Sequence, residues 1–452
     1  MKININNIGI IEEASLKING LTVITGYNNS GKTTVGKVVY SLFSSVENLG
    51  MNILEDQKHY AIKNAEELWR SMYMKYMGNN SKLDIVRNNM LNFNEKIKNA
   101  ADIHELDNVL TGFLTQLEAM FESIEFEQND RKYKEEKKAE FEKKIKNIIE
   151  IVNTRFNSER YVNEKFEMTL KEEFVGQISP LYKKDITGTI SVEEDEQKIL
   201  NFKIFNNSIV ESENMLDEYN IDTKVVFLDN VFLLDELSQK NKENNRKFFL
   251  LDDDEPNISI KRHKDKLLDE ISEASISGVS IIDNILSKEK LEKINKKISQ
   301  TFNEEIIIAN DKIYSSNSKI YIENLAMGSK VFAILKLLLV KGIINDKTVL
   351  VLDEPEVHLH PQWQSVLAEI LALMVKELGI IVILTTHSPQ FLLALEYYMK
   401  KYEQKDIFNV YMTEESKSVC VSYREVTDSM QEAYYRLSKP MFDIKSYMDE
   451  LK

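Results

Sequence analysis

The chain has 452 residues, a formal charge of −15, 43% hydrophobic and 29% charged residues, and a single cysteine, Cys420. This length allows two or three domains, and the balance excludes a disordered chain. One cysteine rules out an internal disulfide framework. With no signal-peptide core at the start and no run near the roughly 18 apolar residues of a membrane span, a cytoplasmic protein with no membrane partner is expected.

In chain order, residues 2–8 and 13–17 read as a strand hairpin, followed by an apolar strand, Leu21 to Thr25. That strand runs into Gly26-Tyr27-Asn28-Asn29-Ser30-Gly31-Lys32-Thr33, a complete G-x-x-x-x-G-K-[ST] sequence, and a helix-compatible run follows from Thr34 to Phe43. Strand, loop and helix in that order identify a phosphate loop for a nucleoside triphosphate. Gly26 and Gly31 are expected to let the backbone curl so that its N–H groups point at phosphate. Asn28, Asn29, Ser30 and Thr34 belong to the same cradle. Lys32 is expected on the β/γ-phosphates and the Thr33 hydroxyl on Mg²⁺.

Residues 46 to about 172 read as helical and charged, with an amphipathic stretch marked by Tyr133, Phe141, Ile145, Ile148, Ile149 and Val152. Strand-like segments follow at 188–193, 199–205 and 225–228. The last of these ends in Asp229-Asn230, but no Glu follows the Asp, so it reads as a core strand. Asp252-Asp253-Asp254-Glu255-Pro256 reads as a solvated loop rather than an acidic metal site. Residues 261–303 return to helix. The basic stretches Arg131 to Lys144 and Lys261 to Lys264 are mixed with or bordered by acidic residues and read as solvated helix faces. With the overall charge at −15, nucleic acid would need a local basic patch.

From about 305 onward strands and helices alternate: strands at 305–309 and 319–323, a helix to Gly342, a strand at 349–352, a helix at 361–378 and a strand at 380–385. A strand pair at 408–413 and 418–424 and a helical tail close the chain. Apolar strands alternating with helices imply a buried parallel sheet. Thr348 to Leu352 ends in Asp353-Glu354, which puts two carboxylates at the edge where ligands collect in such sheets. Asp353 is the expected Mg²⁺ ligand and Glu354 the general base for an attacking water. The next strand ends in Thr385-Thr386-His387-Ser388-Pro389, where His387 is placed to sense a γ-phosphate. Asn324-Leu325-Ala326-Met327-Gly328-Ser329-Lys330 opens another helix, whose N-terminus offers free N–H groups to an anion. A second anion-seeking helix start beside a phosphate loop makes sense if Ala326, Gly328 and Ser329 complete the site of a second subunit.

In order and spacing these motifs resemble ABC-type ATPases of the SMC/RecF/OLD clade. The resemblance rests on the hairpin, residues 26–33, 325–330, Leu352-Asp353-Glu354-Pro355 and 385–389, and covers roughly the first 45 residues and the last 150. It implies an α/β ATPase head, a mixed or parallel sheet with flanking helices, interrupted by a mostly helical insertion. The expected division is 1–45 for the first part of the head, 46–180 for short coiled-coil-like helices, 181–304 for a mixed strand and helix segment, and 305–452 for the rest of the head. It also implies a homodimer at minimum, with higher oligomers open, holding ATP and Mg²⁺ between two heads. Lys32, Glu354 and His387 are then catalytic, and Thr33 and Asp353 hold the metal.

Three departures stand out. Ala326 occupies the place of the signature serine, which suggests slow or partner-stimulated hydrolysis. His360 stands at the D-loop aspartate position, and Gln177 is a candidate for the Q-loop glutamine. Glu356, His358 and His360 alternate as a zinc site could, although a D-loop role explains them better. The run from 352 to 361 looks most like OLD-type and RecF-type ATPases, and no appended nuclease constellation is legible. The expected function is an ATP-hydrolysing sensor or switch of an anti-phage or toxin-like system, similar to the ATPase components of Septu and PARIS, acting on a separate nuclease or toxin effector. The alternative is a RecF-like repair ATPase that binds DNA.

Overall fold

A computed structural model describes the chain except for residues 77–91, most of 123–157, 181, 184, 216–222, 240–259, 274–280, 310–311, 416–419 and 451–452. The chain divides into two compact units. The larger comprises Met1–Glu47, Val162–Asp253 and Ile260–Lys452; the smaller comprises Asn48–Tyr161 and Asp254–Ser259.

The larger unit begins with β1 (Lys2–Ile8), β2 (Ile11–Lys17), β3 (Leu21–Thr25) and α1 (Lys32–Val46). The smaller contains α2 (Leu49–Tyr76) and α3 (Ile103–Glu122), and α4 (Ser158–Phe174) continues the chain into the larger. Next come β4 (Gly188–Glu194), β5 (Gln197–Phe205), β6 (Ser208–Asn214), β7 (Lys224–Leu228), α5 (His263–Glu273), α6 (Ile281–Ile298), β8 (Ile306–Ala309) and β9 (Lys312–Ser315). The final third holds α7 (Met327–Val340), β10 (Thr348–Asp353), α8 (Pro361–Leu378), β11 (Ile381–Thr386), α9 (Pro389–Lys401), β12 (Phe408–Glu415), β13 (Val421–Glu425) and α10 (Met430–Glu450).

Eleven strands form one mixed sheet in the order β6-β5-β4-β1-β2-β13-β12-β3-β11-β10-β7. β1 buries Ile3 and Ile5 on one face and turns Asn4 and Asn6 to the other, the period-2 pattern of a half-buried antiparallel strand, which breaks at Asn7, φ 54°, before buried Ile8. β3 is buried throughout, and β10 and β11 nearly so, because they run parallel in the middle of the sheet with helices on its faces. β12 pairs in parallel with β3, and β13 pairs with β2, so the late hairpin is inserted between the first two strands and the third. The fold is thus α/β, with a helical stretch between the two halves of the sheet.

Helix boundaries follow local chemistry. α8 starts with Pro361, takes His360 as its cap through a ring nitrogen that accepts from the Gln362 N–H, and stops at Gly379 with φ 72°. α9 is capped by Ser388, whose hydroxyl accepts from the Phe391 N–H, and also starts on proline. Leu335, Leu338, Ile370, Leu371, Leu384 and Leu392 pack from α7, α8, β11 and α9 into a continuous core. In the smaller unit, Phe93 stacks on Phe113 with ring centroids 3.8 Å apart, and Ala61, Ala65, Ile97, Leu106 and Leu110 are buried as well.

Some expectations need correction. Residues 319–323 are not a strand: Tyr321 makes one bridge to Tyr314, and Ile322–Asn324 coils into a 3-10 turn leading to α7. β6 was not anticipated, because its sequence, SIVESEN, is an edge strand with no buried residue and hence no apolar alternation. Within 261–303 the described residues form two helices, α5 and α6. The amphipathic stretch from Tyr133 to Val152 lies mostly, and the Asp252–Pro256 loop wholly, outside the described residues. Among the described residues no helix is long and apolar enough to cross a membrane.

Candidate functional site

β3, β11 and β10 are parallel neighbours, so their C-terminal ends bring Thr25, Thr386 and Asp353 to one edge of the sheet. The phosphate loop leaves β3 there. Gly31 adopts φ 74° and caps α1 without contributing a side chain, so no side chain satisfies the first N–H groups of that helix. Gly26 differs from expectation. It is absent from the positive-φ residues, and a Cβ at this position would lie 1.9 Å from Thr413 Oγ1. Its requirement is close approach to β12, not curling.

A cavity of about 520 Å³ opens over this edge. Asn28, Asn29, Ser30, Gly31, Lys32, Thr33 and Thr34 line it, with Asp353 and Glu354 opposite. The Thr33 hydroxyl donates to Asp353 Oδ2 at 2.7 Å, and the Thr385 hydroxyl donates to Asp353 Oδ1. Lys32 is 5% exposed; its ammonium donates to the carbonyls of Tyr27 at 2.8 Å and Gly26 at 3.3 Å, and it faces Glu354 Oε1 at 3.3 Å. The other Glu354 oxygen faces His387 Nδ1, also at 3.3 Å. Glu354 sits at φ 48°, an uncommon conformation held by two contacts from its N–H to Thr385, one to the hydroxyl and one to the carbonyl. All five expected catalytic and metal-site residues are therefore linked by contacts.

Ala326, Gly328 and Ser329 do not line that cavity. Ala326 caps α7 and is exposed, whereas Gly328 is buried, and a Cβ there would meet the His358 carbonyl at 3.1 Å and the Trp363 ring at 3.2 Å. Residues 354–359 form turns, so Glu356, His358 and His360 do not share a strand face. Glu356 is instead buried and accepts from the Thr386 hydroxyl, and burial pushes its carboxyl up. Among the described residues no cluster of three His, Cys, Asp or Glu could hold a metal ion.

Gln177 lines the cavity, together with Phe174, Gly9, Ile10 and Lys37. Lys37 lies four residues after Thr33 on α1, a helical spacing that could have flagged it. Tyr423 had no such signal. From β13, 402 residues beyond Leu21, its hydroxyl reaches under the loop and donates to the Ser30 carbonyl at 2.9 Å. Burial pushes its phenol up, so it remains a donor. Arg436 of α10 sits over the Tyr27 ring at 5.0 Å.

A phosphate loop, a carboxylate-tipped parallel strand and a following histidine strand on one sheet edge define a phosphate-loop ATPase. The chain belongs to the AAA ATPase domain family, whose profile matches residues 1–392. Comparison with solved structures gives an SMC head domain from Thermotoga maritima, at 10% identity, 94% of this chain and 98% of that chain, with TM-score 0.34. It also gives the SMC head of Pyrococcus furiosus bound to the C-terminal domain of ScpA, at 12% identity, 98% of both chains and TM-score 0.38. Curated proteins contain no match.

Proposed function

We propose that the cavity binds ATP with Mg²⁺ and hydrolyses it, and that the chain is the sensor or switch subunit of a bacterial anti-phage or toxin-like system. The observation that carries the chemistry is the linked set Lys32, Thr33, Asp353, Glu354 and His387 at one sheet edge. The uncapped N-terminus of α1 and the ammonium of Lys32 suit a triphosphate. Thr33 and Asp353 supply hard oxygen donors, a set that fits Mg²⁺ completed by phosphate oxygens. Bound there, the ion would neutralise charge on the phosphates.

A triphosphate competes with Glu354 for Lys32, which frees Glu354 Oε1 to accept a proton from the attacking water. Water oxygen bonds to the γ-phosphorus as the bond to ADP breaks. His387, on the other Glu354 oxygen, orients the carboxylate and meets the γ-phosphate. Bulk solvent is kept from the site by the second subunit: Ala326, Gly328 and Ser329, exposed or half-exposed apart from Gly328 and off the chain's own cavity, close the site of a partner copy. ATP then holds a dimer that hydrolysis releases. The insertion from 46 to 320 carries recognition of the partner or trigger, and the effector is a separate nuclease or toxin.

The test is a Glu354→Gln variant purified from its native host with ATP and Mg²⁺, with bound proteins identified by mass spectrometry and nucleic acid by sequencing. A stoichiometric effector-like protein that is absent without ATP is expected. Bound DNA with no such protein would favour the RecF-like reading instead.

A further inference from the structure

The phosphate loop side of the cavity is built from adjacent residues, but Gln177 reaches it from a distant segment and must be held there. Two anchors do so. After Gln177, the N–H groups of Ile178 and Ser179 donate to Asn207 Oδ1 at 2.8 and 2.7 Å, and the Ile178 carbonyl accepts from Gly9 at 3.0 Å. Before it, Val175 at φ 52° and Gly176 at φ 77° reverse the chain at the end of α4. The anchor on that side is Glu173, 1% exposed in its side chain, whose carbonyl accepts from Lys37 at 2.8 Å.

Both oxygens of Glu173 are taken by one residue. The His263 N–H donates to Oε1 at 2.7 Å, and His263 Nδ1 meets Oε2 at 2.8 Å. The opposite ring nitrogen faces Asp229 Oδ2 at 3.1 Å. The imidazole is 7% exposed and lies between Phe227, at 4.4 Å, and Tyr40, at 5.7 Å. Asp229 follows β7 directly, and β7 is in register with β10, Leu228 beside Leu352, one residue before Asp353. A single imidazole therefore spans the Gln177 turn on one side and the strand edge carrying Asp353 and Glu354 on the other.

We infer that His263 is a positioning residue for ATP hydrolysis, a cationic strut that fixes Gln177 relative to the carboxylate edge. The inference rests on the hydrolysis reading above. Burial alone would push this imidazole down, but the Asp229 and Glu173 carboxylates outweigh it and hold the ring up at about 9. Its charged neighbours along the chain pair with other groups, Arg262 with Glu172, Lys264 with Glu236 and Lys266 with Glu47, while Tyr40 is pushed up to about 12 by burial.

The experiment measures steady-state kcat and KM for ATP in the full chain, for wild type, His263→Gln, Gln177→Ala and the double variant. His263→Gln is expected to lower kcat roughly tenfold, the scale of a small misplacement at a reacting centre, with KM unchanged. On the Gln177→Ala background the same change should cost nothing further. A wild-type kcat in His263→Gln, or losses that multiply in the double variant, overturns the strut. Wild type that binds ATP without turning it over overturns the hydrolysis reading itself, and the strut with it. Should His263→Gln fail to fold, the pH profile decides. Wild-type kcat should fall as pH rises through about 9, and Gln177→Ala should lack that limb; a limb shared by both, or present in neither, overturns the proposal.

Discussion

At the scale of single residues, the site is a set of contacts that compete. Lys32 has three oxygen partners, two of them carbonyls of its own loop, and phosphate must draw its charge from Glu354. Lys32→Ala should therefore weaken ATP binding about 10- to 100-fold, the worth of a charge-assisted contact, read by fluorescent-nucleotide titration. Glu354→Gln should keep that affinity and lower kcat by about 100-fold or more, because the amide cannot take the proton. Equal loss of affinity in both variants would contradict the division of labour. Gly26→Ala tests a different force. The added methyl meets Thr413, which is β-branched and 1% exposed and cannot swing aside. A loss of about 1–3 kcal/mol in stability is expected, measured by chemical denaturation.

At the scale of elements, α5 joins α1, α4 and β7 through charge as well as packing. The folded-state pKa of His263, about 9, lies above the usual value near 6.5 for an unfolded chain, so folding takes up a proton in between. Its stabilisation is complete below about pH 6.5 and is lost as pH rises through about 9. Thermal unfolding of wild type should thus drop between pH 7 and 10, and His263→Gln should flatten that part of the curve. A parallel drop in the variant would assign the effect to other groups. The turn after β10 is fixed by comparable means: Thr385 holds Asp353 and the Glu354 N–H, and Thr386 holds Glu356. Two adjacent threonines at one strand end thus orient three carboxylate residues on the neighbouring strand's exit.

At the scale of the whole molecule, the start of α7 and the phosphate loop belong to one chain yet not to one cavity. An ATP-bound dimer of Glu354→Gln is expected by light scattering, with monomer on nucleotide removal; a constant mass in both conditions would argue against closure in trans. In the ATPases this chain resembles, the place of Ala326 carries serine. Ala326→Ser should therefore raise kcat severalfold, about one hydrogen bond's worth of transition-state stabilisation, without changing monomer stability. A reduced rate would mean that this position does not face phosphate.

The nucleotide motifs, the parallel strands beside them and the Pro-started helix at 361–378 were legible from the residues alone. Their signals are local: a fixed spacing in one turn, an apolar run of strand length, a proline after a capping residue. β6 and the 3-10 turn at Ile322–Asn324 were not, since an edge strand needs no buried face and a short turn leaves no period. Gln177 was no more than a candidate, and Tyr423, Lys37 and His263 were not singled out, although each touches or supports the cavity. What the sequence determined by itself was the set of nucleotide motifs, because a phosphate loop and a carboxylate pair are each written as contiguous residues. What only the tertiary structure decided was their setting. β13 slides between β2 and β12 to put Tyr423 under the loop, and His263 bridges Glu173 and Asp229 across 90 and 34 residues of chain. Contacts of that kind depend on which strands become neighbours, and strand order is set by burial of the whole sheet rather than by any segment within it.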